Sequence, residues 1–249
     1  MKTRFGGIAR CCVCGRLTLI YVKEENLRES CFCIKCKSKN RQRQLAYVCC
    51  QTVASAVGRR LSSLRDFARL DNFFVYNTES HGALHNYLAK MENYICSEYF
   101  GNSHKSGDIV NGIMHQDLTN LSLSDESVDL VISSDVLEHI PNPYKAHEQL
   151  YRILRKGGRH VFTVPFNQTE SFDEDRATID NNGNTSFLKE PIYHVDPLRA
   201  EGALVYKIFS REMLFKLQKI GFRTNLYHLY KPFYGIFGSN AIVFEALKE

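Results

Sequence analysis

From Asn72 onward, short apolar runs alternate with amphipathic stretches of helical spacing, and this alternation restricts the fold more than any other feature of the chain. Neighbouring parallel strands cannot be joined by a tight turn; each pair needs a crossover of about a dozen residues or more, usually a helix. Phe73–Asn77 reads as a first strand and His81–Met91 as the helix that follows it. Tyr94–Ser97 is a second strand, closed by Glu98, and Gly112–His115 leads to Asp117 in a short third. Val128–Ser133 is a fourth strand. Tyr144–Leu154 is an amphipathic helix, with Tyr144, Ala146, Leu150, Ile153 and Leu154 at its apolar positions. Gly157-Gly158 reads as the end of that helix and His160–Val164 as a fifth strand. Ser210–Ile220 is a further helix, with Ser210 as N-cap, Glu212 in its first turn and Gly221 as terminator. Phe222–Tyr230 and Asn240–Ala246 close the sheet. The pattern predicts an open, mostly parallel α/β sheet with flanking helices.

A different organisation precedes it. Cys11 and Cys14 form one C-x2-C pair and Cys33 and Cys36 a second, with eighteen residues between the pairs. Such a turn can aim two thiolates at one ion, and a second pair completes a tetrahedron with Zn–S distances of about 2.3 Å. Gly15 permits the tight turn after the first pair, and Leu17–Val22 between the pairs reads as a strand. Cys12 and Cys31 offer a C-x-C alternative at each end. No histidine or carboxylate lies beside the pairs to suggest an open coordination position, so Zn2+ here is expected to be structural. A segment this small needs its metal to fold. The expected division is a zinc-ribbon-like head over residues 1–44, a linking helix within 45–71 and the α/β body over 72–249.

The chain holds nine cysteines, and Met1 to Arg10 is basic and leads into cysteines rather than an apolar segment. A cytoplasmic protein with metal-ligating or free thiols is the expectation, not a disulfide framework. No apolar run approaches the roughly 20 residues that span a bilayer. Residues 1–66 carry 14 Lys and Arg against 4 Asp and Glu, while the whole chain is +5, so the remainder is net negative. The basic cluster from Lys37 to Gln44 could meet phosphates or another polyanion, or serve as a solvated surface. Cys49 and Cys50, on the helical stretch that follows, read as packing thiols.

Within the body, Asp129-Leu130-Val131-Ile132-Ser133-Ser134-Asp135-Val136-Leu137-Glu138-His139-Ile140, the turn Leu154-Arg155-Lys156-Gly157-Gly158 and the upstream stretch from Asp117-Leu118 to Asp129 stand in order. Together they resemble the class I methyltransferase superfamily, in the large type 11-like subgroup. The resemblance is clear over about Asn72 to Pro165 and looser to the end. It implies a Rossmann-like sheet of seven mostly parallel strands and S-adenosylmethionine as cofactor, bound at the carboxyl ends of the strands. On that reading Glu98 accepts hydrogen bonds from ribose hydroxyls, and Asp117 with the Leu118 N–H reads the adenine edge. Ser133, Ser134 and Asp135 lie near the methionine part. The glycine-rich loop usual after the first strand is missing: Asn77-Thr78-Glu79 leads to a single Gly82, and these four residues are expected to line the cofactor in its place.

Pro165–Val205 is long and irregular, as functional loops often are, and should overhang the transferred methyl. His194, flanked by Tyr193 and Asp196, is the first choice of general base for deprotonating a hydroxyl; His139 is the second, with a structural role orienting the loop. The expected activity is O-methylation of a small molecule or glycan, the head capping the site or building a homodimer. The alternatives are an RNA methyltransferase whose basic head grips nucleic acid, and a degenerate binding module. Against the nucleic-acid reading, the chain has neither an N-P-P-Y nor a D-P-P-Y tetrad.

Overall fold

The computed structural model describes residues 4–180, 183–196 and 199–249. The Asp196 side chain, named above, lies outside the described residues, as do residues 1–3, 181–182 and 197–198.

The head is a three-stranded antiparallel sheet of β1 (Arg4–Arg10), β2 (Leu17–Val22) and β3 (Cys31–Cys33), with the short helix α1 (Leu27–Ser30) before β3. Helix α2 (Asn40–Val57) follows, beginning earlier than expected because Gln42 reaches back to cap it: the Lys39 N–H donates to Gln42 Oε1 at 3.0 Å. Gly58, at φ 63°, ends it in a left-handed turn.

The body begins with β4 (Val75–Asn77), α3 (Gly82–Leu88), β5 (Tyr94–Glu98), β6 (Ile109–Val110), β7 (Ile113–His115) and β8 (Val128–Ser134). Helix α4 (Pro143–Ile153) leads directly into β9 (Leu154–Thr163). The long segment after β9 holds three two-stranded ladders. These are β10 (Glu174–Asp175) with β15 (Lys207–Ile208), β11 (Ala177–Ile179) with β12 (Thr185–Phe187), and β13 (Tyr193–Asp196) with β14 (Arg199–Leu204). Helix α5 (Arg211–Ile220), β16 (Phe222–His228) and β17 (Ile242–Lys248) complete the chain. The fold is mixed α/β around an eight-stranded sheet in the order β16-β17-β9-β8-β4-β5-β7-β6, whose five strands β9, β8, β4, β5 and β7 run parallel. The eighth strand, beyond the seven expected, is β6, which turns back on β7 as an antiparallel edge.

Gly157-Gly158 does not end α4. The helix stops at Ile153 because Leu154 is already extended, and the glycines form a bulge inside β9: Val128 pairs with Leu154, Leu130 with Arg159. A Cβ on Gly158 would lie 2.8 Å from the Arg155 carbonyl oxygen, so the bulge closes only around glycine.

Both faces of the sheet are covered, and β8 shows the period of two: Leu130 and Ile132 pack toward α2 and α3, Val131 toward α4 and α5. The first of these layers also contains Ala9, Ile20 and the head cysteines. Head, α2 and sheet therefore share one apolar core. Arg43 on α2 is fully buried and acts as the tie. Its guanidinium donates to the carbonyls of Cys31 at 3.1 Å, Ser38 at 2.5 Å and Gly235 at 2.8 and 3.0 Å, joining head, helix and C-terminal segment. No described helix is long and apolar enough to cross a membrane.

Candidate active site and cysteine cluster

The two C-x2-C pairs adopt the same turn. The Gly15 N–H donates to the Cys11 carbonyl at 2.7 Å and the Lys37 N–H to that of Cys33 at 2.8 Å. Gly15 (φ 71°) and Lys37 (φ 61°) both take the left-handed conformation the turn requires. The sulfurs of Cys11, Cys14, Cys33 and Cys36 lie within 4.8 Å of one another, and Cys11 and Cys36 are 3.7 Å apart. A tetrahedral ion with bonds of about 2.3 Å needs roughly 3.8 Å between sulfurs, so the four could hold a metal. Crowding divides their acidities: hydrogen bonds among the thiols hold Cys11 and Cys33 below the usual range and push Cys14 and Cys36 above it. Cys12 and Cys31 stand outside the group. Cys12 donates to the Arg43 carbonyl at 3.0 Å, and Cys31 faces the Arg43 guanidinium at 3.6 Å.

A cavity of about 1900 Å³ opens at the carboxyl ends of the parallel strands, where an open α/β sheet binds ligands. Thr78, Glu79, Gly82, Glu98, Asp117, Leu118, Ser134 and Asp135 all line it, with His139 and His194. Glu98 ends β5 and accepts from the Ser80 N–H at 2.7 Å, the Ser80 hydroxyl at 2.9 Å and the His81 ring at 3.1 Å, all on Oε1. Asp117 caps its own turn, accepting from the Thr119 N–H and hydroxyl at 2.8 Å each. The Thr78 hydroxyl is buried without a partner among the described residues. Asn77 and Ser133 do not line the cavity. Asn77 donates to the Glu79 carbonyl at 2.8 Å and to the Tyr94 hydroxyl at 3.0 Å, and Ser133 bonds His160 Nε2 at 2.8 Å within the core.

The methionine end of the expected cofactor site holds residues that the sequence reading missed. Asp135 sits at φ 54° after β8, its N–H donating to the Thr163 carbonyl at 3.1 Å. Arg28 from the head grips it with two bonds, at 2.6 Å to Oδ2 and 2.7 Å to Oδ1. Arg41 approaches Oδ2 at 3.3 Å and donates to the Ser134 carbonyl at 3.1 Å. Glu29 binds both arginines and Lys39. Burial alone would raise the Asp135 carboxyl; Arg41 and Arg28 overcome it and hold the group well below the usual carboxylate range. Glu79 shows the opposite balance: burial, only partly offset by Arg41 and His81, pushes its carboxyl up to about 7. Of the basic cluster, Arg43 is buried in the core and Arg41 is turned toward the cavity, while Lys37 remains exposed. The cluster's one sequence signal was the excess of positive charge facing an acidic motif.

The acceptor end is built by the 3-10 turn Leu137–His139 and the β13–β14 hairpin. His194 Nδ1 lies 3.2 Å from His139 Nε2, so the structure brings the two histidines together. Glu138, fully buried, lies beneath them. The hairpin is held by the Tyr206 N–H donating to the Glu138 carbonyl at 2.8 Å and by His139 Nδ1 bonding the Leu204 carbonyl at 2.8 Å.

Residues 81–162 match the model of a family described as a methyltransferase domain. An uncharacterized methyltransferase of Mycobacteroides abscessus is 47% identical over 43 residues, which is 17% of each chain. One from Mycobacterium sp. (strain KMS) is 40% identical over 45 residues, 18% of each. The chain thus spans under a fifth of the length of the curated relatives it matches. Among solved structures, an S-adenosylmethionine dependent methyltransferase from Mesorhizobium loti aligns over 74% of this chain and 94% of that one, at 15% identity and a TM-score of 0.43. The 1,6-didemethyltoxoflavin-N1-methyltransferase of Burkholderia thailandensis aligns over 84% and 78%, at 12% identity and a TM-score of 0.45. The family match runs from α3 to β9, and none of these comparisons specifies an acceptor.

Proposed function

We propose that the protein is an S-adenosylmethionine-dependent O-methyltransferase acting on a small molecule or glycan, with a structural zinc ion in its head. The observation that carries this reading is the cavity at the strand ends, where Glu98 and Asp117 stand at one side and the His139–His194 pair at the other. A drug-sized ligand occupies roughly 300–1000 Å³, so about 1900 Å³ accommodates cofactor and acceptor together. The residues suit the group: Glu98 would hold the ribose, Asp117 and the Leu118 N–H the adenine, and the unpartnered Thr78 hydroxyl lies where the missing glycine loop would have approached. Arg28 and Arg41 would hold the methionine carboxylate, and Asp135 would face the positive end. When bound, S-adenosylmethionine supplies a methyl already activated on a sulfonium, so the chain has mainly to align an acceptor and accept its proton. The His139–His194 end is where that acceptor hydroxyl would be held.

Cys11, Cys14, Cys33 and Cys36 would hold the zinc, and the internal use of Arg28, Arg41 and Arg43 favours a small acceptor over a nucleic-acid chain. Calorimetry with S-adenosylhomocysteine tests the reading on zinc-loaded protein. Wild-type protein is expected to bind, and Glu98→Gln to bind at least tenfold more weakly. No heat from folded, zinc-loaded protein would leave only a binding module of another kind.

A further inference from the structure

Beneath the two histidines, the Glu138 side chain is fully buried, and neither of its carboxylate oxygens has a hydrogen-bond partner among the described residues. A buried carboxylate left so is expensive unless something positive meets it. His194 Nδ1 lies 3.5 Å and His139 Nε2 3.8 Å from its Oε1, and the two nitrogens are 3.2 Å apart. These three atoms outline the triangular face that an ion with bonds of about 2.0–2.2 Å presents to its ligands, whose edges are roughly 3.0–3.5 Å. The histidine tautomer agrees. His139 Nδ1 faces the Leu204 carbonyl at 2.8 Å, so it carries the proton and Nε2 offers its lone pair to the group. Backbone bonds fix both halves: the Glu138 carbonyl is tied to the Tyr206 N–H, and His194 pairs with Ala203 across the hairpin. Gly202, at φ 84°, lets the strands approach; a Cβ there would lie 2.5 Å from the His194 carbonyl oxygen.

We propose that Glu138, His139 and His194 form a second metal site, which binds a divalent first-row transition ion on the wall of the cavity. Two imidazoles and one carboxylate suit zinc, manganese or iron(II) rather than magnesium, and three ligands leave positions open toward the cavity. The site itself stands on geometry; its use rests on the methyl-transfer reading above. The open positions would take an acceptor oxygen, preferably from a vicinal diol or another chelating pair, and lower its pKa. The hydroxyl proton then leaves to water, the oxygen forms its bond to the methyl carbon, and the carbon–sulfur bond breaks with its electron pair going to sulfur. On this account the two histidines act as ligands, and the ion does the work of the general base.

Metal analysis of full-length protein, purified without chelators and exposed to Mn2+, Co2+ or Zn2+, tests the proposal. Wild type should carry two ions per chain, and Glu138→Gln and His194→Ala one, with the four-cysteine ion and a cooperative unfolding transition retained. Cobalt(II) adds a signature: thiolate charge-transfer bands report the cysteine site, and weaker ligand-field bands without charge transfer report the second. One ion in wild type and in both variants, with the thiolate spectrum alone, would overturn the site. If S-adenosylhomocysteine binds but the second ion does not, the metal proposal fails and methyl transfer stands; the reverse result separates them the other way.

Discussion

At the scale of single residues, charge inside the cavity decides the most. Glu79 is held neutral to about pH 7 by burial, while Arg41, His81, Glu98 and Asp135 set the field around it. Its folded pKa lies above the ordinary 4.5, so its ionisation costs the free protein stability as pH rises from about 4.5 to about 7. A cationic donor favours the ionised form. Affinity for S-adenosylmethionine should therefore rise as pH climbs from 6 to 8, by at most about tenfold per unit. In Glu79→Gln that slope should flatten; an unchanged slope by calorimetry would remove Glu79 from the account. Asp135 was legible in the sequence because it stands within a motif. Arg28 was not, since it stands 107 residues away and reaches Asp135 only through the packing of the head on the sheet. Arg28→Ala should weaken S-adenosylhomocysteine binding about tenfold or more, as the loss of a charge-assisted pair implies.

Elements were read well where a local rule fixes them. Ser210 caps α5, accepting from the Glu212 N–H at 3.3 Å, and Gly221 ends it at φ 117°. Ser210→Ala should cost about 1 kcal/mol in urea denaturation. Gly157-Gly158 misled because glycine serves a helix stop and a strand bulge equally, and only the pairing of β8 with β9 decides between them. The packing of α4 on β9 was also invisible. It buries His147 and His160 side by side, their ring centroids 5.5 Å apart. Burial lowers His147 to about 3 and His160 well below its usual value. Both must be neutral in the folded state but protonate once unfolded. Their contribution is therefore intact above pH 6.5 and is lost as pH falls below it, by at most about 1.4 kcal/mol per unit for each ring. His147→Leu should flatten part of that acid limb in urea titrations at pH 7, 6 and 5; a limb as steep as wild type would assign it to other groups.

For the whole molecule, the sequence divided head, linker and body at residues 44 and 71, whereas α2 starts at Asn40 and lies in one core with both sides. Periodicity reports which face of a helix is apolar; it cannot report that the face is shared by two neighbours. Arg43 shows the same limit, since a basic residue in a basic run reads as surface, yet it is fully buried. Arg43→Met should cost about 3–5 kcal/mol, because three carbonyls lose their donor. If Cys11, Cys14, Cys33 and Cys36 hold the proposed zinc, removing it with a strong chelator under reducing conditions should lower the melting temperature of the entire chain in a single transition. Two separate transitions would show the head to be an independent unit.

The bond from Arg43 to the Gly235 carbonyl also has a consequence in time. Its partners are 192 residues apart. At roughly 5–20 residues per second, a ribosome delivers the second about 10–40 s after the first. Until then the nascent head has its knuckles and its helix but neither the Gly235 carbonyl for the Arg43 guanidinium nor Ile236 and Val243 for its apolar side. Metal captured early by the four thiols would hold the segment in register through that wait, and a chaperone that shields α2 would keep its bare face from the neighbouring chains of a polysome.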